Sequence, residues 1–540
     1  MRSSLYLVVS ILLGPFFCAA TAQATYRPNI VIFVADDLGW ADVGYRGSKI
    51  DTPSLDSLAA QGVQLNRFYS TPICSPTRAA LMTGRDPIRL GVAYSVILPW
   101  DSGGVHTNEH FMPESFLTAG YQTAMMGKWH LGHSQQSFHP NDRGFEHFYG
   151  HLHTEVGFYP PFANLGGKDF QRNGKSIEDD GYETYLLADE TTRYIKERDQ
   201  DRPFFLYIPF LAPHEPLDAP QALKDKYKDL EDNRSDARSV SDMIGREAKK
   251  SGFPSRVPLY AATVEAMDQA IGRVLKALEE EGLEENTIVL FFSDNGASRV
   301  YTQGGGDNSP YRGGKGETYE GGIRVVSLLR WPAQIPGGGK LDQMMTVMDV
   351  FPTLAAAAGI TPGNIMRMDG VNMWPAIRGQ EKTERPELVF FTSEIPRYGS
   401  FSFAAIGEEW KLVQWVEQDL TETRVKNTLF NLSDDPYEYQ DLSAQHPERV
   451  AQMAAAIKEW RTLHPINGVR ATLSAPPGWR APLDWAHYPV PTEELQKDPA
   501  VSMAPDKRSL WGLDYLMGER GRMIYNCERV SMEDGICRFR

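Results

Sequence analysis

Four segments of the chain share one hydropathic plan: an unbroken apolar, β-rich run followed at once by polar residues and glycine or proline. Residues 29–35 lead into Asp36-Asp37-Leu38-Gly39, and residues 121–126 into Gly127-Lys128-Trp129-His130. Residues 203–210 lead to Pro213-His214, and residues 287–292 to Ser293-Asp294-Asn295-Gly296. Continuous rather than alternating apolar runs suit strands buried on both faces of a parallel sheet. Helical spacing appears between them, most clearly over 260–281, where Val264, Met267, Ile271, Leu275 and Leu278 recur on one face. Strands alternating with helices predict an α/β fold with a large doubly wound sheet flanked by helices. In such sheets ligands sit beyond the carboxyl ends of the strands, and all four polar clusters fall there.

The pattern changes after about residue 385. Shorter β-like runs at 388–392, 401–406 and 411–415, followed by helical spacing over 448–460, predict a small antiparallel sheet with a helix. Beyond about residue 471 the chain is proline-rich and weakly periodic, which reads as a wrapping tail; residues 224–251 are densely charged and read as a surface loop or helical insertion. The predicted organisation is a large α/β domain over 25–385, a small α+β subdomain over 386–470 and the tail over 471–540.

The N-terminus adds a compartment. Arg2, an apolar run over 5–17 and Ala22-Gln23-Ala24 follow the charged, apolar and small-residue order of a secretory signal peptide, predicting removal of residues 1–24 and export. No later run is long and apolar enough to span a bilayer. The remaining cysteines are Cys74, Cys527 and Cys537. The last two lie close together, where a disulfide would close a short loop and stabilise it by roughly 2 to 3 kcal/mol. Cys74 is then without a partner, and so an inert buried thiol, a reactive group or a chemically altered residue. The formal charge of −15 argues against nucleic acid or anionic lipid as a partner.

Two strand ends offer Asp36, Asp37, Asp294 and the amide oxygen of Asn295. Three converging carboxylates repel one another unless a cation lies between them, and an all-oxygen donor set favours a hard ion, with calcium the first choice. Residues 74–85 then read Cys-Ser-Pro-Thr-Arg-Ala-Ala-Leu-Met-Thr-Gly-Arg. Cys-x-Pro-x-Arg before a short helix and Thr-Gly-Arg resembles the formylglycine-dependent type I sulfatases of the alkaline phosphatase superfamily. The resemblance runs from Arg27 to about Trp460 through Ala35-Asp36-Asp37, Gly127-Lys128-Trp129-His130-Leu131-Gly132, Pro213-His214-Glu215-Pro216-Leu217, Ser293-Asp294-Asn295-Gly296 and Glu320-Gly321-Gly322-Ile323-Arg324. It is most similar to the arylsulfatase B-like branch.

The resemblance implies that Cys74 is oxidised to formylglycine (3-oxoalanine) by a formylglycine-generating or sulfatase-maturing enzyme. It also implies one calcium ion held by Asp36, Asp37, Asp294, Asn295 and the modified residue 74. Its hydrate would attack sulfur through one hydroxyl and use the other to break the covalent intermediate. Arg78, one helical turn on, reaches back to the diol and the carboxylates. Lys128 binds sulfate oxygens, and His130 deprotonates the second hydroxyl. If the turn is extended, these two side chains point the same way. His214 protonates the departing alcohol, and Lys315 approaches the sulfate and the leaving oxygen from a glycine-rich loop, with Arg312 beside it. Lys128, His214 and Lys315 thus form the substrate contacts.

The implied substrate is a sulfated small molecule or oligosaccharide, such as a glycosaminoglycan or algal polysaccharide fragment. Specificity is expected in loops 93–110, 143–162 with His147, His151 and His153, and 299–307. The implied compartment is periplasmic or secreted, or lysosomal in a eukaryote. The alternative is a phosphomonoester, phosphodiester or phosphonate hydrolase of the same superfamily; Asn295 and Cys74 disagree with the two-zinc, Ser/Thr-nucleophile pattern of the related phosphatases. A binding protein that kept the fold would be expected to have lost a reactive residue, and no matched position is missing.

Overall fold

The computed structural model describes residues 27–153, 156–164, 166–232, 255–298, 304–362, 366–395, 400–418, 423–465, 475, 478–487 and the backbone of 530–533 and 536–539. The expected signal peptide, most of the charged 224–251 segment, most of the tail and the side chains of Cys527 and Cys537 lie outside the described residues.

At the centre of a ten-stranded mixed sheet lie five parallel strands, in the order Thr287–Ser293, Asn29–Ala35, Phe204–Pro209, Gln122–Lys128 and His147–His151. Four of these are the apolar runs read from sequence. Their continuity has the expected cause. Ile30, Ile32 and Val34 join one core cluster and Val31, Phe33 and Ala35 the other, so successive side chains of one strand are buried on opposite faces. Helix Cys74–Thr83 packs into the first cluster, whereas Val257–Glu280 lies in the second against Glu183–Glu197. Ser327–Arg330 runs antiparallel beside Thr287–Ser293 and makes the sheet mixed.

A separate antiparallel sheet has four strands, Val389–Ile395, Ser400–Ile406, Trp410–Gln418 and Thr423–Asn431, where sequence showed three apolar runs. The unforeseen strand begins Thr-Arg-Val-Lys-Asn, mostly exposed at the sheet edge, so no apolar pattern marks it. Phe403 and Ala405 pack under helix Pro447–Arg461, while Ala404 and Ile406 join the main core, which fixes the small sheet to the large one. Residues Gln221–Tyr227 of the charged segment are helical. No helix among the described residues is long and apolar enough to cross a membrane.

Candidate active site

Parallel pairing of Ala35 with Ser293 brings Asp36-Asp37 and Asp294-Asn295 side by side beyond two strand ends. Asp294 N donates to Ala35 O at 2.9 Å, and Asp37 turns out of the strand with φ 73°, a left-handed conformation. Gly296 meets the Glu320-Gly-Gly-Ile segment backbone to backbone; a Cβ there would lie 1.8 Å from Gly321 O, so only glycine fits. Cys74 is the first residue of helix Cys74–Thr83, and all ten residues of this helix are buried. Thr77 Oγ1 donates to Asp294 O at 2.7 Å and fastens the helix to the acidic turn.

Arg78 does what one helical turn allows. Its guanidinium donates to Asp36 Oδ2 at 3.1 Å, to Asp294 Oδ2 at 2.9 Å and to Lys128 O at 2.9 Å. Lys128 Nζ pairs with Asp36, Lys315 Nζ donates to Asp37 Oδ2 at 2.8 Å, and His214 Nε2 lies 3.9 Å from the same oxygen. The predicted residues therefore converge from six separate segments. Lys128 ends its strand, but His130 has φ 60°, so the two do not share a direction through an extended backbone; a left-handed kink turns His130 instead. Arg312 is placed otherwise than expected: its guanidinium lies 4.0 Å from the Tyr319 ring centroid and its Nη1 donates to Glu438 O. His147 pairs with Glu190 at 2.8 Å in a structural cluster that includes Arg172.

The electrostatics follow from burial and neighbours. Burial pushes the Cys74 thiol up to about 11 against the pull of Lys128 and Lys315, so as a thiol it is protonated and inert near neutrality. Burial opposes ionisation of Asp36, but Lys128, His214 and Arg78 together hold it well below the usual carboxylate range. Burial and the Asp36 charge push Asp294 upward. His214 is lowered to about 4 by burial and by Lys315; its Nδ1–H contacts Glu215 O, which leaves Nε2 as the atom that takes or gives a proton. His130 is held well below its ordinary value by burial and Lys128; Nε2–H donates to Ile97 O at 3.0 Å, and Nδ1 is buried without a partner among the described residues.

These residues fit a hard cation. Asp36 Oδ1 and Asn295 Oδ1 are both buried and lack hydrogen-bond partners among the described residues, an arrangement that costs about 1 to 3 kcal/mol per group unless something binds them. Ligand atoms of Asp36, Cys74 and Asp294 lie within 4.8 Å of one another, as do those of Asp36, Asp37 and His214. Three carboxylates face Arg78, Lys128 and Lys315. A divalent ion would add net positive charge, which an anionic ester offsets.

The loop that covers Cys74 lies within the 93–110 segment in which sequence placed specificity, but sequence reasoning missed how it is fastened. Ser75 Oγ donates to His130 O at 3.0 Å and accepts from Ile97 N at 3.1 Å, while Val96 and Leu98 pack on Cys74. Ser75 was only an unspecified x of the motif. It also missed His133 as a neighbour of the site, because nothing in its spacing marks it.

Residues 28–360 match the family model described as Sulfatase, and residues 314–462 match N-sulphoglucosamine sulphohydrolase, C-terminal. The chain is 30% identical over 492 residues to arylsulfatase J of Mus musculus, covering 83% of this chain and 78% of that protein. It is 33% identical over 384 residues to N-acetylgalactosamine-6-sulfatase of Homo sapiens, covering 67% and 68%. Among solved structures, Ps i-CgsB in complex with k-i-k-neocarrahexaose aligns at 30% identity and TM-score 0.69, covering 81% of this chain and 94% of that one.

Proposed function

The chain belongs to the sulfatase family of sulfuric ester hydrolases, and on that premise we propose that it removes sulfate from a carbohydrate through a formylglycine at position 74. The observation that carries this reading is the setting of Cys74. An ordinary buried thiol, protonated near neutrality, begins a helix facing Lys128, Lys315, Arg78 and carboxylate and amide oxygens that have no partner among the described residues. Oxidation of its Cβ to an aldehyde, with the C–S bond broken, the sulfur lost and the external oxidant brought by a maturation enzyme, converts this inert group into one that hydrates to a diol.

Asp36, Asp37, Asp294 and Asn295, with residue 74, would hold a calcium ion, which supplies Lewis-acid polarisation of the sulfate. Lys128 and Lys315 hold the sulfate oxygens and disperse their charge, while Asp294 accepts the proton of the attacking hydroxyl. That hydroxyl forms a new O–S bond as the S–O bond to the sugar breaks. His214, charged once the sulfate anion offsets Lys315, gives its Nε2 proton to the departing oxygen. His130 Nδ1 then takes the proton of the second hydroxyl; the carbonyl reforms and inorganic sulfate leaves.

The names of the relatives support a sugar substrate: an N-acetylgalactosamine-6-sulfatase and a structure holding a neocarrahexaose. Residues 1–24 would direct the chain out of the cytoplasm, to a periplasm, the exterior or a lysosome. Paired kinetics test the reaction. The purified enzyme should release sulfate from 4-methylumbelliferyl sulfate and sulfated oligosaccharides with kcat/KM at least about 10²-fold above that for matching phosphate esters. A preference for phosphate would favour the phosphoester hydrolase alternative instead.

A further inference from the structure

The described part of the tail returns to the edge of the catalytic centre. Lys168 N donates to Leu483 O and Trp485 N to Lys168 O, each at 2.9 Å, so residues 483–485 bridge the 163–176 segment like a short strand. Gly167 has φ 80°, and a Cβ there would lie 2.0 Å from Pro482 O, so the crossing requires glycine. Trp485, only 5% exposed, donates through Nε1 to Gly166 O and pins the segment.

Two further indoles stand beside it. Trp479 lies 6.5 Å from Trp485 and 5.9 Å from Trp100, crossing the latter at 77°; both Trp479 and Trp100 remain half-buried. Trp100 ends the loop that covers Cys74. That loop is gripped by two histidines, His130 through Ile97 O and His133 through Pro99 O at 3.1 Å. The His153 ring sits 4.0 Å from Trp485 and 4.1 Å from His133; its Nε2 is buried and has no partner among the described residues.

We propose that Trp100 and Trp479, backed by Trp485 and His153, form a stacking subsite for the sugar unit next to the sulfated one. This rests on the carbohydrate sulfatase reading and extends it to an oligosaccharide substrate. Pinning the tail needs Trp485 alone; it does not require two half-exposed indoles crossed over the loop above Cys74. A sugar ring offers an apolar C–H face to an indole and hydroxyls at its rim, and the two half-exposed indoles offer it such faces, held in place by the buried Trp485 and His153.

The test uses full-length enzyme and two substrate pairs: N-acetylgalactosamine 6-sulfate against chondroitin 6-sulfate tetrasaccharide, and galactose 4-sulfate against a neocarrahexaose. In the pair that is hydrolysed, wild-type kcat/KM should be about tenfold or more higher for the longer member. Trp479→Ala and Trp100→Ala should each lose that gain through KM, and Trp479→Phe should restore most of it. Equal kcat/KM for short and long substrates in the wild type, absence of turnover of both pairs included, would overturn the subsite. So would an equal fall on both members of a pair in the two alanine variants, or retention of the gain in both. Wild-type turnover of 4-methylumbelliferyl sulfate reports separately on the sulfatase reading, and its persistence without a length gain defeats the subsite alone.

Discussion

Two clusters of buried charge in this protein have similar ingredients and unequal completeness. Where the small sheet meets the large one, Lys411 is paired with Glu320 at 2.9 Å and Glu438 at 2.8 Å. Tyr69 donates to Glu320 at 2.9 Å, and Glu320 N to Glu438 at 2.8 Å. At the strand ends, Asp36, Lys128, Arg78 and Asp294 are as deeply buried, yet Asp36 Oδ1, Asn295 Oδ1 and His130 Nδ1 are left over. Burial of charge does not by itself mark a catalytic centre. Glu438 Oε1 also lacks a hydrogen bond among the described residues, but it lies 2.8 Å from the Lys411 ammonium, whereas the strand ends gather three such atoms, Asp36 Oδ1, Asn295 Oδ1 and His130 Nδ1, the spare capacity that an ion and a reacting group require.

The sharpest way to break the contrast is to remove the nucleophile. Cys74→Ala should abolish turnover, by at least about 10⁴-fold, with thermal unfolding within a few degrees of wild type, as measured by sulfate release and calorimetry. Lys411→Met should do the reverse. It leaves Glu320 and Glu438 buried together, and stability in urea should fall by about 3 to 5 kcal/mol. Next comes the ion. Chelation should lower the melting temperature and calcium restore it, with stabilisation of about 4 kcal/mol at a thousandfold excess over Kd; Asp36→Asn should blunt that response.

The smallest effect concerns a buried carboxylate outside both clusters. Burial raises Asp86 to about 6 although Ile88 N and Trp460 Nε1 donate to it. A raised carboxyl favours folding while protonated. Its contribution is therefore full below about pH 4 and is lost as pH rises through about 6, amounting to at most about 3 kcal/mol. The melting-temperature profile of Asp86→Asn should lack that component between about pH 4 and 6.

The centre of the fold was legible because strands buried on both faces leave an unmistakable apolar run, and Asp36, Lys128, His214 and Asp294 stand directly behind four such runs. Arg78 was legible because one helical turn fixes its reach. What escaped was set by long-range packing. The edge strand Thr423–Asn431 is largely polar, and the left-handed kink at His130 has no local signature. Arg312 has an ordinary glycine-loop context but is drawn to Tyr319, and Trp479 meets Trp100 from 379 positions further along the chain. Local pattern carries no information about such meetings.

The central claim is that residue 74 acts as an aldehyde hydrate rather than a thiol. Mass spectrometry of the peptide carrying position 74, from enzyme whose specific activity has been measured, tests it directly. Formylglycine, trapped by a hydrazide, should be found at position 74 in proportion to activity across preparations matured to different extents. Full activity from a preparation in which that residue is wholly an unmodified thiol would contradict the account.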